Sequence, residues 1–426
     1  MRLPQGFAAF RHRNFRLFWT GMLVSLIGTW MQQVGQAWLV LQLTNDPLAL
    51  GLIAMAQFGP ILVLGPLGGI VADSVSKRTA LMVTQLAAGV LAIILAALYV
   101  SGQIEVWHIF VLAVGLGVVN SFDMPIRQAF VIEMVGREDI ANAVALNSTV
   151  FNLTRIVGPA VAGLTIASIG IAPLFFVNAA TYVAVVASLV FMRMSALHAP
   201  TERPVVTRHW RSVVDLLIEG IRYTRGNPRI LLIILLVGAV STFAMNFSVL
   251  IPLVARDVLH GDADTYGFLL SAAGVGSLVS ALSIAFRRTA STRRLFVGAA
   301  LCGLGMVGLG LSRWLPLSLA MMFVAGWGAI SMAATANTVI QLTVPDVLRG
   351  RVVSLYTTVF VGSTPIGGLF SGVVASGFGG APAALIVGGS LAVAAAFVAY
   401  LRVPDRPPLR ATLTRTPTSV RPDTRH

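Results

Sequence analysis

The sequence is short of most of what a water-soluble enzyme uses. Only 11% of its 426 residues are charged, against roughly a quarter in soluble domains, while 56% are hydrophobic and the mean hydropathy is +0.85. Such a chain cannot cover a globular surface with hydrated groups and is expected to lie in lipid. The one cysteine, Cys302, sits inside an apolar run, which excludes an intramolecular disulfide and a cysteine metal cluster. The one lysine, Lys77, follows Ser76 where a phosphate-binding P-loop needs glycine, so ATP does not drive the protein directly. The six histidines, His12, His108, His198, His209, His260 and His426, have no paired spacing, and no hydrolase or metalloenzyme motif occurs. Neither an enzyme nor a metal or cofactor site is expected. The first apolar run is longer than a secretory leader and lacks an obvious small-residue cleavage site, so it reads as a retained span.

Apolar runs are what the chain has in abundance. A bilayer core of about 30 Å takes roughly 20 residues of helix. Twelve runs of that order can be drawn, at 15–43, 48–72, 79–100, 107–123, 140–169, 174–192, 230–253, 267–286, 295–311, 315–341, 352–376 and 381–401. The net charge of +14 comes from basic residues flanking these runs, a pattern of membrane loops rather than of a nucleic-acid surface, and no nucleic-acid partner is expected. With both termini cytoplasmic, one side collects the arginines of 2–16, Lys77, Arg78, Arg127, Arg137, the arginines of 193–229 and 287–294, Arg349, Arg351 and the tail. The other side holds only Arg256 and Arg313. The positive-inside rule then predicts a multi-pass protein of a bacterial-type inner membrane.

The longest polar interval before the tail divides the chain into an N-terminal bundle (1–192), a cytoplasmic linker (193–229), a C-terminal bundle (230–402) and a tail rich in Pro, Thr and Arg that is expected to be disordered (403–426). In the linker, Trp210, Val213, Val214, Leu217, Ile218 and Ile221 recur at helical spacing opposite Arg211, Asp215, Glu219, Arg222 and Arg225, which predicts an amphipathic helix along the membrane surface. Sliding the chain against itself by 209 positions matches Thr149, Val150 and Phe151 with Thr358, Val359 and Phe360, Gly158 with Gly367, and Gly163 with Gly372. Each group of six runs is therefore one copy of a unit. The expected fold is all-α, with twelve transmembrane helices in two pseudo-symmetric six-helix bundles that rock about a central site, an alternating-access design. Gly158, Pro159, Gly163, Gly367 and Gly372 are its candidate hinge or packing points.

Arg155 is the sharpest single residue, because a guanidinium inside a span costs at least about 2.5 kcal/mol unless a partner or water meets it. Its spacing places it on one helical face with Ser148, Asn152 and Pro159. Two roles stay open: contact with an anionic or carbonyl-bearing substrate or a protonatable carboxylate, and an internal structural tie. Asn120, Asp123 and Arg127 form a second stripe, expected near the cytoplasmic end of the fourth run. Candidate cavity residues are Gln32, Gln33 and Gln36, with Ser25 and Thr29, in the first run; Gln57 and Asn120; Asn152; Asn246, with Thr242; Gln341, with Asn337; and the aromatics Phe243 and Tyr356, with Phe58, Phe151, Phe247 and Phe360. A mostly neutral, aromatic chamber suits bulky amphipathic compounds. Any one glutamine would equally fit a helix interface. No carboxylate falls at the centre of a run: Asp46 and Asp257 lie near outer ends, and Asp73, Asp123 and Glu133 near inner ones.

The loop after the second run carries Gly69, Asp73, Lys77 and Arg78, and it resembles the signature loop of the major facilitator superfamily, with Ser74 and Ser76 where that family has a basic residue and a glycine. The stretch through Asn147, Asn152, Arg155, Gly158, Pro159 and Gly163 is similar to the fifth span of the superfamily's exporter branch, most of all its siderophore-exporter and macrolide-efflux group, although Ala145 and Thr154 replace glycines of the antiporter motif. The resemblance implies export of drugs, siderophores or related small amphipathic metabolites by a monomer, with a proton gradient and no cofactor. It also implies a gating role for the loop. Asp73 would latch onto the positive N-terminal end of the eleventh span near Gly350 and Val352, or else pair with its basic neighbours, while Lys77 and Arg78 meet anionic membrane lipids. Competing functions are a lipid or lysophospholipid flippase, a polar-nutrient importer and a membrane scaffold without transport.

Overall fold

A backbone buried in lipid must satisfy its own hydrogen bonds, and a helix does so within one segment. The computed structural model describes residues 5–198, 210–285, 289–402 and 409–410; the side chains of Gln5, Pro66, Asp73, Ala285 and residues 210–217, 289–290 and 409–410 lie outside that description, as does the rest of the tail. The first six-helix group is α1 (Arg13–Thr44), α2 (Pro47–Ser74), α3 (Lys77–Val100), α4 (Val106–Val135), α5 (Ile140–Ile169) and α6 (Ala172–Val190). The linker holds α7 (Trp210–Gly226). The second group is α8 (Pro228–Phe243) with α9 (Phe247–Leu253), then α10 (Ala263–Ala285), α11 (Thr292–Leu311), α12 (Leu315–Thr343), α13 (Asp346–Gly377) and α14 (Gly380–Arg402). Thr289–Ala290 and Leu409–Arg410 form a two-residue antiparallel pairing. Local chemistry sets several helix starts. The Asp46 side chain accepts from the Leu48 amide at 2.9 Å with Pro47 in the first turn, and Glu105 and His108 make a reciprocal capping box.

Among the described residues eleven helical segments are long and apolar enough to cross a membrane. The twelfth span is α1, whose 32 residues are made more polar by Gln32, Gln33 and Gln36 and which packs on α5 and α6 like any other member of its bundle.

Two boundaries depart from expectation. The fourth span, drawn to residue 123, continues to Val135, because Asp123 and Arg127 neutralise each other one turn apart and Ile126, Phe130, Val131 and Met134 carry on a buried face. The seventh span, drawn as one run, breaks after Phe243. Asn246 starts α9 and donates back to the Thr242 carbonyl at 2.6 Å, and a π-helical turn, Val254–Val258, completes the crossing.

The repeat read from the sequence reappears as packing. In the first half α1 lies on α5 and α6, α2 on α4, and α3 on α6; in the second α8 lies on α13 and α14, α10 on α12, and α11 on α14. The matched glycines do matched work. Gly158 admits Trp30 of α1 and Gly367 admits Thr242 of α8, each within its own half, whereas Gly163 admits α10 at Ala263 and Asp264 and Gly372 admits α2 at Pro47 and Leu48, each across the halves.

Candidate functional site

The halves meet along two helix pairs, α2 with α13 and α5 with α10. Their close approaches run from mid-membrane to the arginine-poor end. A side chain on Gly267 would start 3.2 Å from the Gly163 Cα, and one on Gly51 3.3 Å from the Gly372 Cα. Polar ties finish the closure: Ser376 Oγ donates to Asp46 Oδ1 at 3.0 Å, Arg256 Nη1 donates to the Leu41 carbonyl at 3.3 Å, and Trp38 stacks on Tyr266 with centroids 6.3 Å apart. At the arginine-rich end no such close approach or polar tie joins the two halves among the described residues. Open space surrounds the positions where side chains on Gly65, Gly69 and Gly350 would begin.

Just inside the closed end lies a cavity of about 160 Å³. Trp30 and Gln33 of α1, Phe58 of α2, and Arg155 and Pro159 of α5 line it from the first half; Met245, Phe247 and Ser248 at the α8–α9 break, Tyr266 of α10 and Thr364 of α13 line it from the second. The break in the seventh span thus has a structural consequence, since it delivers three residues to the cavity within one short stretch. Arg155 is halfway along α5 and half-buried, and among the described residues it makes no hydrogen bond or ion pair. Pro159 lacks the amide that would bond the Arg155 carbonyl, and Ser271 of α10 donates to the adjacent Ile156 carbonyl at 2.7 Å.

The second charged stripe is built differently. Asp123 is 1% exposed and lies twelve residues before the end of α4, a helical rise of about 18 Å. It lies well inside the helix, because α4 is longer than the apolar run. Its carboxylate takes Thr84 Oγ1 at 2.7 Å and Gln85 Nε2 at 2.8 Å from α3 and forms an ion pair with Arg127. These α3 partners were not singled out from the sequence, although Thr84 and Gln85 are adjacent polar residues in an otherwise apolar run.

The other expected site residues are spread over several environments. Gln33 lines the cavity. Gln32 instead accepts from Asn178 Nδ2 of α6 at 2.6 Å, and Gln36 is buried. Asn152 donates to the Ser148 carbonyl at 2.8 Å and Gln341 to Asn337 at 3.0 Å, ties within single helices. Asn246 caps the break, Tyr356 donates to the Ala333 carbonyl at 2.9 Å, and Phe243 meets Phe370 edge-on at 5.0 Å. Gln57 and Asn120 are half-buried away from the cavity lining. In the loop after α2, Lys77 pairs with Glu133 at 2.6 Å and Arg78 donates to the Leu189 and Val190 carbonyls at 2.7 and 3.1 Å. Tyr266, Trp30, Ser248 and Thr364 were not anticipated at the site; the tyrosine beside Gly267 at the start of an apolar run was the available signal.

Residues 4–414 match the family model described as transmembrane secretion effector. The chain is 30% identical over 353 residues to the multidrug efflux pump Tap of Mycolicibacterium fortuitum, covering 80% of this chain and 84% of that protein. It is 24% identical to the enterobactin exporter EntS of Shigella boydii, covering 86% and 89%. In fold it is similar to the nucleoside transporter NupG, with a TM-score of 0.68 at 14% identity over 91% of this chain and 98% of that one. Two six-helix units, a cavity between them and a family match over nearly the whole chain lead to one conclusion: the protein is a membrane transporter of the transmembrane secretion effector family, within the major facilitator superfamily.

Proposed function

We propose that the protein is a secondary active exporter of amphipathic small molecules that works by alternating access, with the arginine-rich end in the cytoplasm. The observation that carries this reading is the asymmetry between the ends. The halves are sealed by glycine contacts and polar ties at one end and lack them at the other among the described residues, around a cavity that both halves line. With the arginine-rich side inside, as the charge bias directs, this is the state that loads from the cytoplasm. Similarity to a drug efflux pump and a siderophore exporter favours export. Within this reading Asp73 is the latch of the opposite state, engaging the N-terminal end of α13 when the cytoplasmic ends come together. Proton antiport is part of the proposal, and Asp123 is its best-placed carrier, as the only carboxylate seated well inside a span among the described residues.

The orientation has a direct consequence. With Cys302 replaced by serine, a cysteine at exposed Arg313 should react with an impermeant maleimide from the periplasm and one at exposed Arg225 only after the inner face is opened. Reaction of both from one side would refute the topology. Function is tested in proteoliposomes with an imposed proton gradient and a panel of amphipathic fluorophores. Gradient-dependent movement of one class, collapsed by a protonophore, is the expected result; transport unaffected by the gradient would remove the coupling, and no transport of any class would remove the exporter assignment.

A further inference from the structure

We propose that the cavity is a subsite for the anionic headgroup of an amphipathic substrate, gripped by Arg155 from one half and the Tyr266 hydroxyl from the other. The proposal rests on the exporter reading and narrows its substrate class. Two independent observations carry it. Arg155 is a cation midway through a span with no hydrogen bond or ion pair among the described residues, a placement that membranes penalise unless something else meets the charge. Tyr266 lines the same cavity, is wholly buried, and keeps its hydroxyl without a hydrogen-bond partner among the described residues. A buried hydroxyl left unmet is costly, and together with a half-buried guanidinium at the same cavity it is complementary to a single acceptor.

The rest of the lining fixes the sign of the ligand. It contains no Asp or Glu; its other polar members are Gln33, Ser248 and Thr364, all neutral, and Trp30, Phe58 and Phe247 supply aromatic surface. A carboxylate or sulfonate on a planar apolar body satisfies both open donors and buries the body against the rings, with Arg155 free to bind two oxygens at once. A cationic amphiphile would face an unscreened guanidinium with no counter-charge.

The placement also couples binding to the transport cycle. Arg155 is on α5 and Tyr266 on α10, the pair whose contacts at Gly163, Gly267 and Gly274 close this end. An anion touching both holds the end shut. When the halves rock and α5 leaves α10, the two donors separate and neither alone retains the ligand, so release follows from the same motion that opens the path.

The test uses the full chain in nanodiscs of neutral lipid, with empty nanodiscs as baseline, and two size-matched probes, a naphthalene sulfonate and a naphthyl trimethylammonium. The sulfonate should bind at least about tenfold more tightly than the ammonium. Arg155→Gln should weaken sulfonate binding roughly ten- to hundredfold, and Tyr266→Phe about three- to tenfold, while neither weakens the ammonium. If Arg155→Gln does not fold, Tyr266→Phe and the wild-type preference decide. Equal or tighter binding of the ammonium, or sulfonate binding indifferent to the Tyr266 hydroxyl, would overturn the assignment. Transport of the same probes keeps the two readings apart. A gradient that moves the ammonium and not the sulfonate defeats the subsite and leaves the exporter; sulfonate binding that follows Arg155 and Tyr266 without any gradient-driven movement leaves the subsite and defeats the exporter.

Discussion

Asp123→Ala should destabilise the folded protein by about 3–5 kcal/mol, the range seen when one member of a buried ion pair is removed. The loss follows from what would remain. Arg127 would keep its charge four residues away with its counter-charge gone, and the Thr84 hydroxyl and Gln85 amide would lose the acceptor they share. Replacing both charged residues by apolar ones of similar volume, Asp123→Leu with Arg127→Met, should recover most of the loss, because an apolar pair does not have to be desolvated. Thermal unfolding of the detergent-solubilised variants measures this directly. A single variant as stable as wild type would show that the Asp123–Arg127 pair contributes no net stability. The double variant carries a second reading: if Asp123 moves the proton, it should be folded and yet lose gradient-driven transport.

Gly267→Val should prevent closure of the arginine-poor end and so remove the cytoplasm-loading state. The side chain would begin 3.2 Å from the Gly163 Cα and closer still to the Pro159 carbonyl oxygen, both backbone atoms of α5 that cannot swing aside. Because the contact lies between halves and not within one, the six-helix units need not unfold to relieve it; they can separate. Transport is expected to fall to background with the protein still monodisperse. A cysteine replacing Ala263, buried against Gly163 when the end is shut, should become more reactive to maleimide in the valine variant. Retained transport would mean that the α5–α10 approach is looser during turnover than at rest.

Most of the architecture was legible because lipid leaves the chain few choices. Apolar runs of fixed length had to be helices, the arginine bias fixed which loops share a side, and a constant offset tied Gly158 to Gly367 and Gly163 to Gly372 before any packing was known. What failed did so for local reasons. Hydropathy ended the fourth span at Asp123 because it counts a charge as a boundary, whereas Arg127 one turn on neutralises it inside the helix. It also drew the seventh span as continuous, since Ala244 and Met245 are as apolar as a helix interior, although Asn246 turns the chain there. At the site, Arg155 could be found because it is a lone charge among apolar residues. Gln32, Asn152 and Tyr356 were indistinguishable by composition from Gln33, and only their partners Asn178, Ser148 and Ala333 remove them from the cavity. Tyr266 carried no polar stripe to announce it, because its hydroxyl is matched by nothing on its own helix.

Alternating access itself is tested most directly by paired distance measurements between spin labels in proteoliposomes. One pair spans the arginine-rich ends, at Ser74 on α2 and Val347 on α13; the other spans the arginine-poor ends, at Leu43 on α1 and Phe378 after α13, all four positions exposed. Imposing a proton gradient should shorten the first distance distribution and lengthen the second together, with the isolated halves unchanged, and Asp73→Asn should weaken that shift by removing the latch. Distances that move in the same direction, or that do not respond to the gradient or to any substrate, would contradict the rocking of two rigid halves about the Arg155 cavity.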